Sequence, residues 1–262
     1  MAIKKVRPRR AWTPPKPKPP PYRGPKLLPA PPRGKRGRAT AAAAPSFDPV
    51  ADIAWSKLYW ASDPDWTPPA DGATVASWRN AGSVAGDATQ GSETVKPLYD
   101  ATYAGLSDQP AIVHDGSDDG LTSASFTGIP QPWSWVMVVY VPAVTGTKSY
   151  GTPQFGVGGS AFMGQVAGVW RFGVAFGSVI NGGTATVGAH VLCGVADGAN
   201  SRLLVDGAVV AAGTFAAASA TRIITGYDGS GLDIAACAIS LAGLYAGDFT
   251  AHAAYDDFMG WV

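Results

Sequence analysis

The pattern of apolar and polar positions beyond about residue 46 predicts an all-β domain. Apolar runs of four to eight residues recur there between Gly, Asp and Asn, and almost none has the 3.6-residue period of a helix. Runs of this length, each closed by turn residues, are typical of antiparallel strands. The predicted strands cover residues 111–114, 134–141, 168–176, 190–196, 202–205, 208–211 and 238–245.

Three pairs of an acidic or amide residue with glycine predict turns between these strands. Asp206-Gly207 separates two predicted strands by two residues, and an Asp-Gly pair suits a hairpin turn whose central residues need positive φ. Asn181-Gly182 and Asp197-Gly198 predict turns at other strand ends. Near the C-terminus, Thr250 is predicted to cap a short helix over residues 251–259 that closes one end of the domain.

The first 45 residues differ sharply from the rest in charge and composition. They contain thirteen Lys or Arg, no Asp or Glu, and twelve of the 22 prolines. Residues 46–262 contain seven basic and nineteen acidic residues, so the formal charges of the two parts are +13 and −12. The proline-rich part has too few apolar side chains to build a core, and its proline runs predict extended polyproline II conformation. We therefore divide the chain into an arm, residues 1–45, and a β-sandwich domain, residues 46–262.

The arm admits two interpretations. Its positive charges could neutralise nucleic-acid phosphates, or the arm could dock onto protein surfaces. Proline favours docking, because a chain already held in polyproline II loses less entropy when it lies in a groove. The predicted docking residues are the apolar Trp12, Tyr22, Leu27 and Leu28 and the basic Arg33, Lys35, Arg36 and Arg38. No membrane insertion is expected, because no run of about 18 apolar residues is present.

Several motifs in the domain follow the order of a known family. Residues 58–63 (Leu-Tyr-Trp-Ala-Ser-Asp), 75–78 (Val-Ala-Ser-Trp), 109–119 and 200–207 carry the similarity. Together they resemble the concanavalin A-like, or laminin-G-like, domains of tailed-phage structural proteins, over roughly residues 47–262. The resemblance implies a two-sheet antiparallel jelly-roll sandwich.

The resemblance also implies a function in a virion, with the tail favoured over the capsid. It predicts a minor tail protein, present in multiple copies, whose arm docks on other virion proteins and whose domain contacts a host glycan. A capsid decoration protein, or a structural brace that binds no glycan, is the alternative. Nucleic acid is not expected as a partner.

An enzymatic function is a third possibility for a sandwich of this type. Glycoside hydrolases with this type of sandwich need two carboxylates across the sugar, and the chain has a single glutamate, Glu93. The Glu-x-Asp-x-x-Glu strand of the hydrolytic relatives is absent. Asp118 and Asp119 are adjacent, and adjacent residues on a strand face opposite sides. The sequence therefore predicts no catalytic residues and a protein that is not an enzyme, with glycan cleavage as the third hypothesis.

Two sets of side chains are candidates for ligand contact. Among the nine tryptophans, those selected for stacking on a sugar are Trp66, Trp60, Trp133 and Trp170, with burial in the core as the competing interpretation. Trp66 stands out because it lies in a proline-rich loop. Asp115, Asp118 and Asp119 are candidate Ca²⁺ ligands, but we favour a role in closing a turn, and no cofactor is expected.

Overall fold

The computed structural model describes residues 47–155, 159–160, 162–174, 178–227 and 235–262. The arm and its eight predicted docking residues lie outside these ranges, so the docking hypothesis stays a prediction. Among the described residues, no helix is both long and apolar enough to cross a membrane.

The described residues form two antiparallel sheets, which confirms the predicted all-β sandwich. The first sheet has the strand order β15-β14-β13-β7-β17-β5-β4, with β1 also paired to β17. The second has the order β12-β11-β10-β8-β16-β6-β3-β2, with β9 paired to β8. The strands are β1 Lys57–Trp60, β2 Ser77–Trp78, β3 Ala88–Thr89, β4 Leu98–Tyr103, β5 Gln109–Asp115, β6 Leu121–Ser123, β7 Trp133–Val141, β8 Thr147–Phe155, β9 Gly159–Ser160, β10 Phe162–Val166, β11 Val169–Val174, β12 Ser178–Thr184, β13 Gly188–Ala196, β14 Ser201–Val205, β15 Ala208–Gly213, β16 Arg222–Thr225 and β17 Ala236–Tyr245; one helix, α1, covers Tyr255–Trp261.

The first sheet is covered on both faces. Its inner face packs against the second sheet around large side chains such as Trp78, Trp135 and Phe172. Its outer face packs under the segment that precedes β1 and under α1, with Trp55 and Phe258 at the centre of that cluster. A strand buried on both faces needs apolar residues at successive positions, which explains the nearly unbroken apolar sequences of β7 and β17.

Each of the seven predicted strands overlaps an observed one, although residues 175 and 176 of the predicted strand 168–176 lie outside the described ranges. The predicted hairpin is confirmed. Asp206 and Gly207 have φ of 50° and 79° and connect β14 to β15 with Val205 opposite Ala208. The pair Asp197-Gly198 also stands at a strand end, directly after β13.

Two local predictions are wrong. Asn181-Gly182 lies inside β12, where a Cβ on residue 182 would stand 2.4 Å from the carbonyl oxygen of Val210, so glycine serves a close backbone approach and not a turn. The helix begins only at Tyr255, and Thr250 does not cap it. Asp248 instead caps a preceding 3₁₀ turn, where its carboxylate accepts the Thr250 N–H at 3.1 Å.

Candidate functional site

A cavity of about 450 Å³ opens on the outer face of the first sheet. Strands β7, β13 and β17 supply its floor through Val138, Val191 and Ser240. Its walls come from the turn before β5, from the β14–β15 hairpin and from the end of α1. We call it the Trp261 cavity, after the aromatic residue that lines it. A volume of this size accommodates a small organic ligand.

Backbone irregularities place polar side chains around the Trp261 cavity. Ser107 and Asp108 have φ of 54° and 62°, two consecutive left-handed conformations without glycine, and Ser107 and Gln109 line the cavity. On the floor, the pairing of β17 with β7 shifts register between Ile239 and Leu241, which sets Ser240 at a bulge. Bulges of this kind redirect a side chain and are common beside functional sites.

Asp206 supplies a fixed carboxylate to the wall of the cavity. One oxygen, Oδ1, accepts the N–H of Val191 at 2.9 Å, and the other, Oδ2, lies 2.9 Å from Nδ1 of His190. The second ring nitrogen of His190 is also engaged, at 3.1 Å from both Oγ1 and the carbonyl oxygen of Thr186. The Asp206 side chain is nevertheless 54% exposed, so its carboxylate stays accessible to a ligand.

Trp261 is half-buried and held by other rings. Its ring centroid lies 5.8 Å from that of Phe47 and 5.9 Å from those of Trp60 and Phe258. The indole is therefore positioned before any ligand arrives, which lowers the entropic cost of stacking on it.

The four tryptophans selected from the sequence have different environments. Trp133 is fully buried and its Nε1 donates to the Ala218 carbonyl at 3.1 Å. Trp170 is 2% exposed and packs edge-on against Tyr150 and His190. Neither ring presents a surface to a glycan, because both stabilise the core between the sheets. Trp60 packs edge-on against Trp261 and does not line the cavity.

Trp66 is half-buried in the loop after β1. Its ring lies edge-on to Tyr99, with centroids 5.7 Å apart. Arg79 fixes this loop through an ion pair with the buried carboxylate of Asp63 and a second, at 3.4 Å, with the exposed Asp65. The loop therefore offers an aromatic edge beside exposed charged groups, and it is not part of the Trp261 cavity lining.

The acidic turn after β5 brings Asp115, Asp118 and Asp119 together, with carboxylate oxygens within 4.8 Å of one another. Asp119 Oδ2 accepts the Asp115 N–H at 2.9 Å, and Asp115 Oδ1 accepts the Ser117 N–H at 2.7 Å. Burial raises the pKa of Asp119, although the bond from the Asp115 backbone opposes the shift. Two of the three carboxylates therefore close the turn.

No protein-family model and no curated protein matches the chain. The fold is similar to that of Trypanosoma rangeli sialidase in complex with 2,3-difluoro-KDN, with a TM-score of 0.52 and 13% identity over 79% of this chain and 33% of that chain. For the same sialidase in complex with sialic acid, the TM-score is 0.50 and the identity 12%, over 74% of this chain and 31% of that chain. It is also similar to domain 4 of a GH43 extracellular arabinanase from Geobacillus stearothermophilus in complex with arabinotriose. The TM-score is 0.50 and the identity 12%, over 74% of this chain and 93% of that chain. The chain spans about a third of the sialidase chains. At this identity the similarity shows the β-sandwich fold alone.

These similarities overturn the prediction that the chain is not an enzyme. Sialidase and GH43 arabinanase are glycoside hydrolases, and both contain a sandwich similar to this one. The missing Glu-x-Asp-x-x-Glu strand argues against one group of hydrolytic relatives and does not exclude enzymes as a class.

Proposed function

We propose that the domain binds glycans and that the Trp261 cavity is the binding site. The observation that carries the proposal is one cavity that combines a prepositioned indole with the polar side chains of Ser107, Gln109, Asp206 and Ser240. An indole stacks on the apolar face of a sugar ring, and a few convergent polar groups orient its hydroxyls.

The similarity to the arabinanase domain supports this proposal. That domain was solved in complex with arabinotriose, and the present chain aligns with 93% of it. A sandwich of this architecture therefore accommodates an oligosaccharide in at least one other protein. Trp66, with its neighbours Asp65 and Arg79, is the second surface that we propose for sugar contact.

A glycan array and titration calorimetry on the full-length protein test the proposal. Trp261→Ala is expected to weaken binding at least tenfold, because burying an indole contributes on the order of 2 kcal/mol. Trp66→Ala tests the second surface independently. Wild-type affinity in Trp261→Ala would place the site elsewhere. Release of new reducing ends in the same samples would show that the bound glycan is also cleaved.

We further propose that the arm anchors this domain in a virion, in the tail in preference to the capsid. The support is the difference in charge between the arm, +13, and the domain, −12. A strongly basic arm on an acidic domain suits docking of the arm onto other proteins while the domain folds by itself. Deleting residues 1–45 is expected to abolish incorporation into particles while glycan binding persists. Normal incorporation of the deleted form would overturn the docking role.

A further inference from the structure

We infer, on the basis of the proposed glycan site, that the Trp261 cavity selects sugars that carry a free amino group. The cavity wall presents the carboxylate of Asp206, and none of the described lining residues is Lys or Arg. A protonated amine beside that carboxylate forms a charge-assisted hydrogen bond, roughly twice as strong as a neutral one. The same ammonium is attracted to the face of an indole such as that of Trp261.

The hydrogen bonds of Asp206 leave it able to accept such a donor. Each carboxylate oxygen has two lone pairs, and the protein uses one on each, through Val191 N–H and His190 Nδ1. These bonds fix the carboxylate in one orientation. His190 does not compete as a ligand-binding group, because both of its ring nitrogens already have partners.

None of the seven basic residues of the domain lines the cavity, and four of them are engaged elsewhere. Arg79 pairs with Asp63, Lys96 with Glu93 and Arg202 with Asp248, while the ammonium of Lys57 is enclosed by backbone carbonyls. An acidic sugar would therefore bring its carboxylate toward Asp206 with no Lys or Arg in the described lining, inside a domain of net charge −12. Like charges in a partly desolvated site repel, so sialic acid and uronic acids are expected to bind poorly.

Three β-1,4-linked tetrasaccharides of similar size test the selectivity: cellotetraose, tetra-N-acetylchitotetraose and fully deacetylated chitotetraose. Calorimetry on the full-length protein at pH 6, where the amines are protonated, is expected to give about tenfold tighter binding of the deacetylated tetramer. Asp206→Asn should reduce this preference to less than about twofold, since the amide keeps the acceptor oxygen and loses the charge. Asparagine also tolerates the left-handed backbone of residue 206, so the turn is retained.

Asp108→Asn is the matched control. Like Asp206→Asn, it removes one negative charge at a residue with left-handed backbone conformation. Asp108 is exposed but does not line the cavity. It should leave the amine preference intact, whereas an equal loss in both variants would overturn the inference by showing a general charge effect. Equal affinity of the wild type for all three sugars would overturn the selectivity alone, if Trp261→Ala still weakens binding at least tenfold. Absence of binding to any glycan would overturn the proposed function as well.

Discussion

Trp60 supports Trp261 edge-on, with ring centroids 5.9 Å apart and ring planes at 72°. The contact joins the end of β1 to the last turn of α1, so a residue outside the cavity lining sets the position of the cavity's aromatic wall. Edge-to-face pairs contribute about 0.5–1.5 kcal/mol beyond the area they bury. Trp60→Ala should therefore weaken glycan binding by roughly two- to tenfold, as measured by titration calorimetry.

Trp60→Phe is the control for this positioning role. Phenylalanine keeps an aromatic edge against Trp261 and should restore most of the affinity. If Trp60→Phe binds as weakly as Trp60→Ala, the loss reflects general damage to the outer cluster, and the positioning role is wrong.

Strand positions were predictable where burial on both faces or explicit turn residues gave a clear signal. The predicted strand over 134–141 is apolar at nearly every position because the first sheet is covered twice, and it matches β7. The central strand β8 was missed, since it reads Thr-Lys-Ser-Tyr-Gly-Thr-Pro-Gln-Phe and contains Pro153. Proline normally argues against a central strand, yet here it pairs opposite Ile223.

The Trp261 cavity was beyond reach of sequence reasoning, because it joins segments far apart in the chain. The side chains that line it, which include Ser107, Gln109, Asp206, Ser240 and Trp261, meet only once the sheet has formed. The sequence predicts Asp206 only as a residue of a hairpin turn, and the turn does not indicate that its carboxylate is accessible to a ligand. A sequence does not distinguish a core indole from an exposed one, so it predicts sugar contact for Trp133 and Trp170 as readily as for Trp60 and Trp66.

Lys57 is a fully buried lysine whose ammonium donates to the carbonyl oxygens of Ala85 at 2.6 Å and Gly86 at 2.8 Å. Burial lowers its pKa to about 8, with Asp87 opposing the shift. Between that pH and about 10.4, the ordinary lysine pKa, the unfolded chain holds the proton more tightly, so this group makes stability rise with pH. Urea unfolding at pH 7.5 and 9.5 should show wild type gaining stability relative to Lys57→Met.

Stability must be compared between wild type and Lys57→Met at each pH, because Cys193 also contributes to the pH dependence. Burial raises the pKa of Cys193 to about 12, so this thiol makes stability fall as the pH rises over the same range in both proteins. A difference between wild type and Lys57→Met that does not change with pH would contradict the lowered lysine pKa.

Gly164 in β10 has no space for a side chain. A Cβ there would stand 1.8 Å from the carbonyl oxygen of Lys148, at the point where the pairing of β10 with β8 shifts register. Gly164→Ala should cost at least about 3 kcal/mol of unfolding free energy, because backbone on both strands must move. Gly173 in the adjacent β11 is the matched control, since its nearest contact would be 3.6 Å away. Equal thermal midpoints for the two alanine variants would contradict this account.

His114 lies in β5 and is 1% exposed, and neither of its ring nitrogens has a hydrogen-bond partner of normal geometry among the residues that the structure describes. Burial lowers its pKa to about 4, although the Asp119 backbone and the charge of Asp115 oppose the shift. In the unfolded chain the pKa returns to about 6.5, so the stabilisation is complete above that pH and is lost as the pH falls toward 4.

The comparison of wild type with His114→Leu isolates this contribution, because the aspartates titrate in both proteins. Between pH 7 and pH 4, the wild type should lose up to about 3 kcal/mol of unfolding free energy relative to His114→Leu. Leucine is expected to be tolerated, since the ring makes no hydrogen bond of normal geometry with the described residues. Parallel pH profiles for the two proteins, or a His114 ring proton that titrates near pH 6.5 in NMR spectra of the folded chain, would show that the imidazole is not held neutral by burial.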